Sequence, residues 1–441
     1  MDYYVMYYQE KISGLDKREA DTAAIQAAID ACTLTGGRVL TQKGRKYQIG
    51  TIVLKSNVEL VISSDTVLEA SGELKDYLPV TEEDGETGQT ENWKGRPIYA
   101  AIYAKDAENV RISGAGCLDG VSEQYVSERS RYHCTGKFYP RPVMIYVENC
   151  RNVSFSDFTI KDAPFWTLHP AGCRNVIIDG IKIQNRLDMA NSDGIDPDHC
   201  KDVIIRNCDI QSADDCICLK NTIANRRYGS CENILVENCN LISTSAGVKI
   251  GTEGIDDFRN VTVKNCRIKK SNRGISIQIR DNGCVEDVNF ENIEIETRRF
   301  YDGWWGRSEP VYITSIDRCG QIKSGTIKNI FFRNIRCTAE NGIFIYGEHK
   351  GSISNIFFED ISLRLLLTHK WNAGTYDLRP CREEGLLRRN NSAIFNYQGE
   401  NVVVCRGTLI MPKDQVPGFG EFIDDEMGNL KLEQVICRRI I

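Results

Sequence analysis

Acidic side chains concentrate in two short segments of this 441-residue chain. The first reads N-S-D-G at residues 191–194, and the second reads A-D-D-C at residues 213–216. Carboxyl groups held close together repel, so one keeps its proton and can donate it while the others stay ionised and orient water. Inverting hydrolysis of a glycosidic bond requires that division of roles. We therefore predict that Asp193, Asp214 and Asp215 are catalytic residues.

Two other interpretations of these segments stay open. Asp and Asn favour turns for reasons unrelated to catalysis, and clustered carboxylates also bind calcium. The spacing favours catalysis, because Asp193 and Asp215 lie 22 residues apart, which is close to one coil of the repeat described next. Adjacent coils are about 4.8 Å apart, so aligning these segments is expected to place both side chains in one column. The aligned pairs are Gly194-Ile195, Cys216-Ile217, Gly247-Val248 and Gly274-Ile275. We predict no metal and no cofactor.

A repeat of about 27 residues runs through the chain. An Asn or Asp followed by Val or Ile opens a short alternating strand at Asn109, Asn152, Asn175, Asp202, Asn233, Asn260, Asp287, Asn329 and Asn355. Alternating apolar and polar residues are typical of half-buried strands, and these segments lack helical spacing. Because one such unit cannot bury its apolar face alone, its copies must stack. The pattern predicts an all-β fold, a right-handed parallel β-helix.

Recurring turn residues predict two ladders along the stack. We expect the side-chain amides of one Asn set to stack at a corner, namely Asn207, Asn238, Asn265, Asn292 and Asn334. The thiols of Cys208, Cys239 and Cys266 are expected beside them as small buried fillers, since no paired C-x-x-C spacing favours zinc.

We predict one β-helix domain over residues 1–441, with a cap and first coil in 1–60. A short capping helix over residues 23–32 is expected, capped by Asp21-Thr22 and ended by Gly36-Gly37. Loop insertions are predicted near residues 82–95, 121–140, 296–310 and 365–392, and insertions in solenoids often lie on the functional face.

Composition narrows the classes of partner. With 55 basic against 61 acidic residues and a net charge of -6, the chain lacks the broad positive field that nucleic-acid binding needs. No secretory leader and no stretch of about 18 apolar residues is present, so we expect no membrane partner and a cytoplasmic location. The 18 cysteines are then interpreted as reduced thiols. The oligomeric state is not predicted.

Several motifs together resemble one known family. They are D-T-A-A-I-Q-A-A-I-D at 21–30, G-A-G-C-L-D-G at 114–120, R-P-V-M-I at 141–145, and above all N-S-D-G and D-D-C. The chain resembles glycoside hydrolase family 28, the polygalacturonases and their relatives. The resemblance implies a pectin-lyase-like solenoid in which Asp214 is the general acid and Asp193 and Asp215 activate water, without metal or cofactor.

The chain departs from that family where substrate is held. Ala246 stands in place of a histidine, and Ser276-Ile277-Gln278 stands in place of the R-I-K that grips a substrate carboxylate. Lys249, Arg273 and Arg280 fall in the same aligned segments, so either they supply the carboxylate clamp or the substrate is neutral there.

We predict substrate contacts from both the motif segments and one insertion. The motif residues are Asn191, Lys249, Arg273, Gln278 and Arg280. In the insertion, Trp304 and Trp305 offer aromatic faces for sugar stacking, although either tryptophan could instead pack the loop onto the solenoid.

The sequence predicts an inverting glycoside hydrolase acting on pectin-type oligosaccharides such as galacturonides, from a chain end because long insertions could wall off the cleft. Three alternatives remain. One is a hydrolase of a neutral plant glycoside such as a rhamnoside. Another is a carbohydrate-binding solenoid without activity, and the third is a calcium-dependent lyase or epimerase.

Overall fold

A computed structural model describes residues 1–81, 96–136, 140–301, 303–367, 370–382, 385–413 and 416–440. The chain divides into two compact units. The first unit comprises Met1–Asp214 with Thr222–Gly229, and the second comprises Asp215–Asn221 with Ser230–Ile441. The predicted insertion near residues 82–95 lies outside the described residues.

Two helices, Val5–Gln9 and Lys17–Cys32, open the first unit. The longer one buries Ala24, Ile25, Ala28 and Ile29 along one face, so the predicted capping helix is confirmed. Its predicted start was wrong. Asp16 is the N-cap, because its carboxylate accepts from the Glu19 N–H at 2.9 Å while the Glu19 side chain reaches back to the Asp16 N–H.

Asp21, which had been expected to cap the helix, has a different task. It is 1% exposed within the helix and accepts hydrogen bonds from Arg45 Nη2 and the Gln48 N–H, both at 3.0 Å. It therefore fastens the helix to the first coils. The helix ends as predicted, since Gly36 adopts a φ of 72° and its N–H returns to the Cys32 carbonyl at 2.8 Å.

In the first unit the strands form three parallel columns, each strand pairing with its counterpart one coil away. The first column holds Asp2–Tyr4, Gly37–Leu40, Val58–Val61, Arg111–Ser113, Arg151–Ser156, Arg174–Asp179 and Lys201–Arg206. The second holds Lys46–Ile49, Val67–Ala70, Cys117–Asp119, Thr159–Lys161, Lys182–Gln184 and Asp209–Ser212. The third holds Ile52–Val53, Ala100–Lys105, Val143–Glu148 and Leu168–Ala171.

The second unit repeats this plan with longer strands. Its first and second columns comprise Cys231–Glu237, Asn240–Ser243, Phe258–Lys264, Arg267–Ser271, Val285–Thr297, Ile327–Ala339, Ile353–Leu365, Gly399–Pro412 and Leu430–Ile440. Its third column comprises Ile217–Asn221, Ala246–Gly254, Arg273–Ile279, Val311–Ser315, Ile343–Gly347, Ile394–Tyr397 and Ile423–Asp425. Strands stacked in parallel columns form a parallel β-helix in each unit, as the repeat predicted.

Like residues stack on like inside the coils, which explains why the repeat fixes the register. Phe290, Phe332 and Phe358 pair in register on successive coils. Their rings stack with centroids 4.9 and 4.6 Å apart. Full burial of each such side chain contributes about 1.5 to 3 kcal/mol. A shift of one residue would turn all of them to solvent, so the register is strongly specified.

The predicted asparagine ladder is confirmed for three of its five members, all in the second unit. Asn334 donates to Asn292 at 2.8 Å, and Asn292 donates to Asn265 at 3.1 Å. All three have φ values near +55°, a left-handed conformation that Asn tolerates better than most residues. In the first unit Asn207 instead donates to Asp179 at 2.7 Å.

A further ladder of asparagines was not predicted as such, although its residues had been noted as strand openers. In the first unit Asn175, Asn152 and Asn109 bond in sequence at 3.2 and 3.1 Å. All of them also have positive φ. Their regular spacing therefore reflects a corner conformation repeated in every coil.

The predicted burial of three filler thiols is confirmed. Cys208, Cys239 and Cys266 are buried, and each thiol donates to the carbonyl two residues earlier. All 18 cysteines lie in the described part of the chain and none forms a disulfide.

The segments predicted as insertions carry small elements of their own. Residues 121–140 contain a 3-10 helix, Ser122–Tyr125, and a hairpin of Val126–Arg129 with Cys134–Gly136. Residues 365–392 contain a hairpin of Thr375–Asp377 with Leu386–Arg388. Further 3-10 helices span Leu74–Asp76 and Ile223–Tyr228. Within the described residues, no helix combines the length and the apolar character needed to cross a membrane.

Candidate active site

In the first unit, two of the three predicted catalytic carboxylates are buried and influence the charge of a buried arginine. Asp193 and Asp214 are 3% and 4% exposed, and both act electrostatically on the guanidinium of Arg141, which is itself only 2% exposed. Burial lowers the pKa of Arg141 to about 10, and the two carboxylates oppose that shift. The sequence did not assign Arg141 a role.

Arg141 also fixes the turn that carries Asp193. Its Nη1 donates to the carbonyls of Pro164 and Ala190 at 2.7 and 2.9 Å, and its Nη2 donates to Asn191 Oδ1 at 3.0 Å. Asn191 has a φ of 58°. The planar fork of an arginine suits such a set of acceptors. The side-chain oxygen of Asn191, a predicted substrate ligand, thus accepts from Arg141. The side-chain nitrogen of Asn191 takes no part in this contact.

Asn185, which precedes Asp193 in the same coil, supports the same turn. Its Nδ2 donates to Thr167 Oγ1 at 2.7 Å and to the Ser192 carbonyl at 2.9 Å. The Asp193 carbonyl in turn accepts from the Thr167 N–H at 2.9 Å. The backbone on either side of Asp193 is therefore held by buried hydrogen bonds.

In the second unit, the third column confirms the predicted alignment of segments. Ile217 pairs with Val248, and Val248 pairs with Ile275. Because successive side chains alternate between faces, Cys218, Lys249 and Ser276 share the opposite face.

Asp215 lies at the start of this column with both carboxylate oxygens occupied. Oδ1 accepts from Ser245 Oγ at 2.8 Å and from the Ala246 N–H at 3.1 Å, and Oδ2 accepts from Lys249 Nζ at 2.8 Å. Burial by itself raises the pKa of Asp215, but Lys249 and Lys220 outweigh it, so the net pKa is lowered. Asp215 is therefore an ionised, fixed carboxylate, as a group that activates water must be.

A second carboxylate, Glu253, lies in the same group of charged side chains as Asp215. This group, the charged row, consists of Asp215, Lys220, Lys249, Glu253 and Arg280. It lies 3.0 Å from Arg280 Nη2 and 3.8 Å from Lys220 Nζ. Burial alone would raise the pKa of Glu253, but Lys220 and Arg280 bring it down to about 2. The predicted ligands Lys249 and Arg280 thus lie in one network, which the sequence alone left incomplete because Lys220 and Glu253 had no assigned role.

Arg273 and Gln278 are tied to a distant segment of the same unit. Arg273, 5% exposed, donates from Nη2 to the Asp377 carbonyl at 2.8 Å and lies over the Tyr312 ring at 3.7 Å. Its Nε donates to Glu309 at 3.2 Å. Gln278, 1% exposed, donates to the Arg379 carbonyl at 2.9 Å. These contacts give both residues a structural task, and their contact with substrate stays a prediction.

The tryptophan-bearing insertion is fixed by the buried carboxylate of Asp377. Asp377 accepts from the Gly306 N–H at 2.9 Å and from Arg379 Nη2 at 2.7 Å. The same Arg379 nitrogen donates to the Trp304 carbonyl at 2.7 Å. Trp304 and Trp305 are each half-buried, with ring centroids 5.2 Å apart. Both residues are thus partly exposed on an anchored loop, while the indole nitrogen of Trp304 is buried.

Comparison with known protein families assigns the chain to one of them. The sequence profile described as glycosyl hydrolases family 28 matches residues 54–372. The chain belongs to glycosyl hydrolases family 28. The resemblance inferred from the motifs is therefore confirmed, and the match includes Asp193, Asp214, Asp215 and the tryptophan insertion.

Relatives of this family 28 chain carry polygalacturonase names. A probable polygalacturonase of Vitis vinifera is 28% identical over 257 residues, covering 55% of this chain and 51% of the relative. A probable exopolygalacturonase B of Aspergillus fumigatus is 24% identical over 252 residues, covering 49% and 52%. The chain spans about half the length of the relatives it matches.

Solved structures show the fold of family 28 in this chain. An exopolygalacturonase of Thermotoga maritima aligns with a TM-score of 0.60 at 22% identity, covering 99% of this chain and 92% of that one. A polygalacturonase of Erwinia carotovora aligns with a TM-score of 0.57 at 15% identity, covering 97% and 96%. The right-handed parallel β-helix is thereby confirmed.

Proposed function

We propose that this family 28 chain is an inverting glycoside hydrolase acting on pectin-type oligosaccharides such as galacturonides. The observation that carries the proposal is the setting of Asp215, whose oxygens accept three hydrogen bonds and whose pKa is lowered by two lysines. Such a carboxylate is ready to orient a water molecule but not to supply a proton.

In this proposal the three aspartates divide the work of one displacement. Asp214 protonates the leaving glycosidic oxygen, while Asp193 and Asp215 orient the water that attacks the anomeric carbon from the opposite face. Arg141 holds the Asp193 turn, and Ser245 with Lys249 holds Asp215. The support is the family membership together with the ionised state of Asp215.

We propose that cleavage starts from a chain end. Two observations support this mode. Relatives of 24% and 23% identity are named exopolygalacturonases, and the tryptophan loop is tied to the hairpin of Thr375–Asp377 through Asp377. An anchored loop of this kind could close one end of a cleft and present an aromatic face to a terminal sugar.

The substrate carboxylate would meet the charged row of the second unit. Lys249 lies 2.8 Å from Asp215, and Arg280 and Lys220 lie 3.0 and 3.8 Å from Glu253. Cationic side chains in a cleft attract an anionic sugar. Lys249 and Arg280 have side chains 15% and 14% exposed, so they are the members within reach of a ligand.

A neutral glycoside is the second candidate substrate. The observation in its favour is that Lys249 and Arg280 each already pair with a carboxylate at 2.8 and 3.0 Å. The family's histidine and R-I-K positions are also neutral here, as Ala246, Ser276 and Gln278. A site built this way would bind a rhamnoside without an unpaired charge.

The test is incubation with a panel of galacturonide, galactoside and rhamnoside oligosaccharides, with NMR of the first anomer released. Inverted galacturonic acid from chain ends supports the leading proposal, and inverted rhamnose supports the second. Unsaturated products would indicate a lyase, and no turnover across the panel would favour a binding protein.

The roles of the aspartates are tested with Asp214→Asn, which should abolish turnover while the thermal unfolding curve stays unchanged. Asp157→Asn is the matched control, because Asp157 lies exposed at a corner with a φ of 68° that Asn adopts readily. Full activity in the Asp214 variant would remove the assignment. The cytoplasmic location expected from the sequence stays a prediction.

A further inference from the structure

A basic pocket lies in the first unit, at the corner where third-column strands lead into first-column strands. It is a cavity of about 130 Å³ lined by Asn149, Arg151, Gly172, Arg174, His199, Arg227 and Tyr228. Three of these residues are arginines and none is acidic. The predicted catalytic and substrate-binding residues are not among them.

Two of the arginines face each other without compensation. Arg151 and Arg174 pair in backbone register on adjacent coils, so their Cα atoms are about 4.8 Å apart and two cationic side chains leave neighbouring strands. Both are exposed, and within the described part of the chain neither side chain makes an ion pair or hydrogen bond. Glu108 pairs with Arg151 through the backbone on the other side, yet its carboxylate does not reach the guanidinium. Like charges directly opposite are unfavourable in a sheet, so an anion between them would relieve repulsion.

The opposite wall of the pocket is held in place by contacts among Arg227, Tyr228 and Glu148. Arg227 lies over the ring of Tyr228 at 4.8 Å and donates to its hydroxyl at 2.7 Å. Both bind the fully buried carboxylate of Glu148, to which the Tyr228 hydroxyl donates at 3.0 Å. Gly172 makes room for that ring, because a Cβ there would meet a Tyr228 carbon at 2.3 Å.

Glu148 is surrounded by cations. Three cations, Arg96, Lys105 and Arg227, lie within 4 Å of it. Burial by itself raises the pKa of Glu148, but Arg96 and the Tyr228 hydroxyl are among the groups that outweigh burial, and its net pKa is lowered. Of these three cations Arg227 lines the pocket, and Arg151 and Arg174 line it as well.

The loop that carries Arg227 is held by hydrogen bonds to the buried residues Asp198 and His199. Asp198, fully buried, accepts from the Thr222 N–H at 2.9 Å, from Thr222 Oγ1 at 2.6 Å and from Asn225 Nδ2 at 2.7 Å. The ring nitrogens of His199 face the carbonyls of Thr222 and Gly229. The guanidinium of Arg227 is therefore presented on a fixed support.

We propose that this pocket binds an anionic oxygen group, the carboxylate of an acidic sugar or a free phosphate, between Arg151, Arg174 and Arg227. Planar guanidinium groups bind both kinds of anion through paired N–H donors. The volume suits one phosphate or a single uronic acid unit. The inference does not depend on hydrolysis, because binding is measured without turnover.

The experiment is isothermal titration of the full chain at low ionic strength with inorganic phosphate, galacturonic acid and galactose. We expect saturable binding of at least one of the two anions, weakened by added salt, and no binding of galactose. Phosphate alone identifies a phosphate site, and galacturonic acid alone identifies an acidic-sugar site.

Two variants test whether the anion binds in this pocket. Arg151→Gln combined with Arg174→Gln should weaken anion binding about tenfold or more. Arg111→Gln, an exposed arginine of the same column outside the pocket, should leave it unchanged. Equal loss in both variants, unchanged affinity in the double variant, equal binding of galactose, or no anion binding by the wild type would each overturn the proposal.

Discussion

Lys249 donates from Nζ to Asp215 Oδ2 over 2.8 Å, with side chains 15% and 1% exposed. Because burial alone would raise the pKa of Asp215, its ionised state depends on this lysine and on Lys220. Removing the cation leaves a buried carboxylate with less compensation.

Lys249→Met is therefore expected to raise the pKa of Asp215 and to move the acid limb of the pH profile of kcat/KM to higher pH. The lowered pKa stabilises the fold above the unfolded aspartate value of about 3.9 and ceases to do so as pH falls through the folded value. The variant should thus lose about 3 to 5 kcal/mol of unfolding free energy at neutral pH, with the gap narrowing in acid. Lys269→Met, an exposed lysine of the same unit, should change neither profile. An unmoved acid limb would show that Lys249 does not set the charge of Asp215.

Arg141→Lys keeps the charge but removes the fork that binds Pro164, Ala190 and Asn191. We expect kcat to fall about tenfold or more because the Asp193 turn is misplaced, and the unfolding free energy to drop by about 2 to 4 kcal/mol because buried carbonyls lose their donor. Steady-state kinetics and denaturant unfolding measure the two effects. Arg111→Lys is the surface control, and wild-type kcat in the Arg141 variant would contradict the positioning role.

Asp377→Ala should release the tryptophan loop, since it removes the acceptor of the Gly306 N–H and of Arg379. Limited proteolysis followed by mass spectrometry is expected to show new cleavage within residues 298–310. If Trp304 or Trp305 meets substrate, KM rises more than kcat falls. Asp360→Ala, which removes an exposed ion pair with Arg406, should give the wild-type cleavage pattern. Equal protection of the loop in both variants would mean that Asp377 does not anchor it.

Asn292 combines a φ of 55° with ladder bonds to Asn265 and Asn334. Asn292→Gly keeps access to that backbone conformation but loses the ladder, whereas Asn292→Ala loses both. We expect Ala to be more destabilising than Gly by about 1 kcal/mol, measured as the difference in unfolding free energy. Equal losses would assign the whole effect to the side-chain bonds.

Much of the fold followed from local signals. Alternation in segments such as residues 203–208 and 234–239 predicted the strands, and the spacing of Asn corners predicted stacked coils. The register of Ile217 on Val248 followed from aligning short motifs. These features depend on residues about one coil apart in the sequence. They can therefore be predicted from one amino-acid sequence.

Residues that join distant segments could not be found in that way. Arg141 reaches Asn191 across 50 residues, and Arg273 reaches Asp377 across 104. Asp21 looked like a helix cap, but Asp16 and Glu19 form a reciprocal pair that begins the helix earlier. A buried charge in an otherwise apolar strand, such as Lys220 after I-C-L, was the one local sign of the ion network around Glu253.

The coil plan of each unit also bears on how such a molecule acquires new specificity. Since a coil contacts only the coils before and after it, a turn can be lengthened or recharged without repacking the rest of the stack. The hairpin that contains Thr375–Asp377 and the basic pocket at Arg151 and Arg174 both lie where one column of strands leads to the next, so a change there stays local.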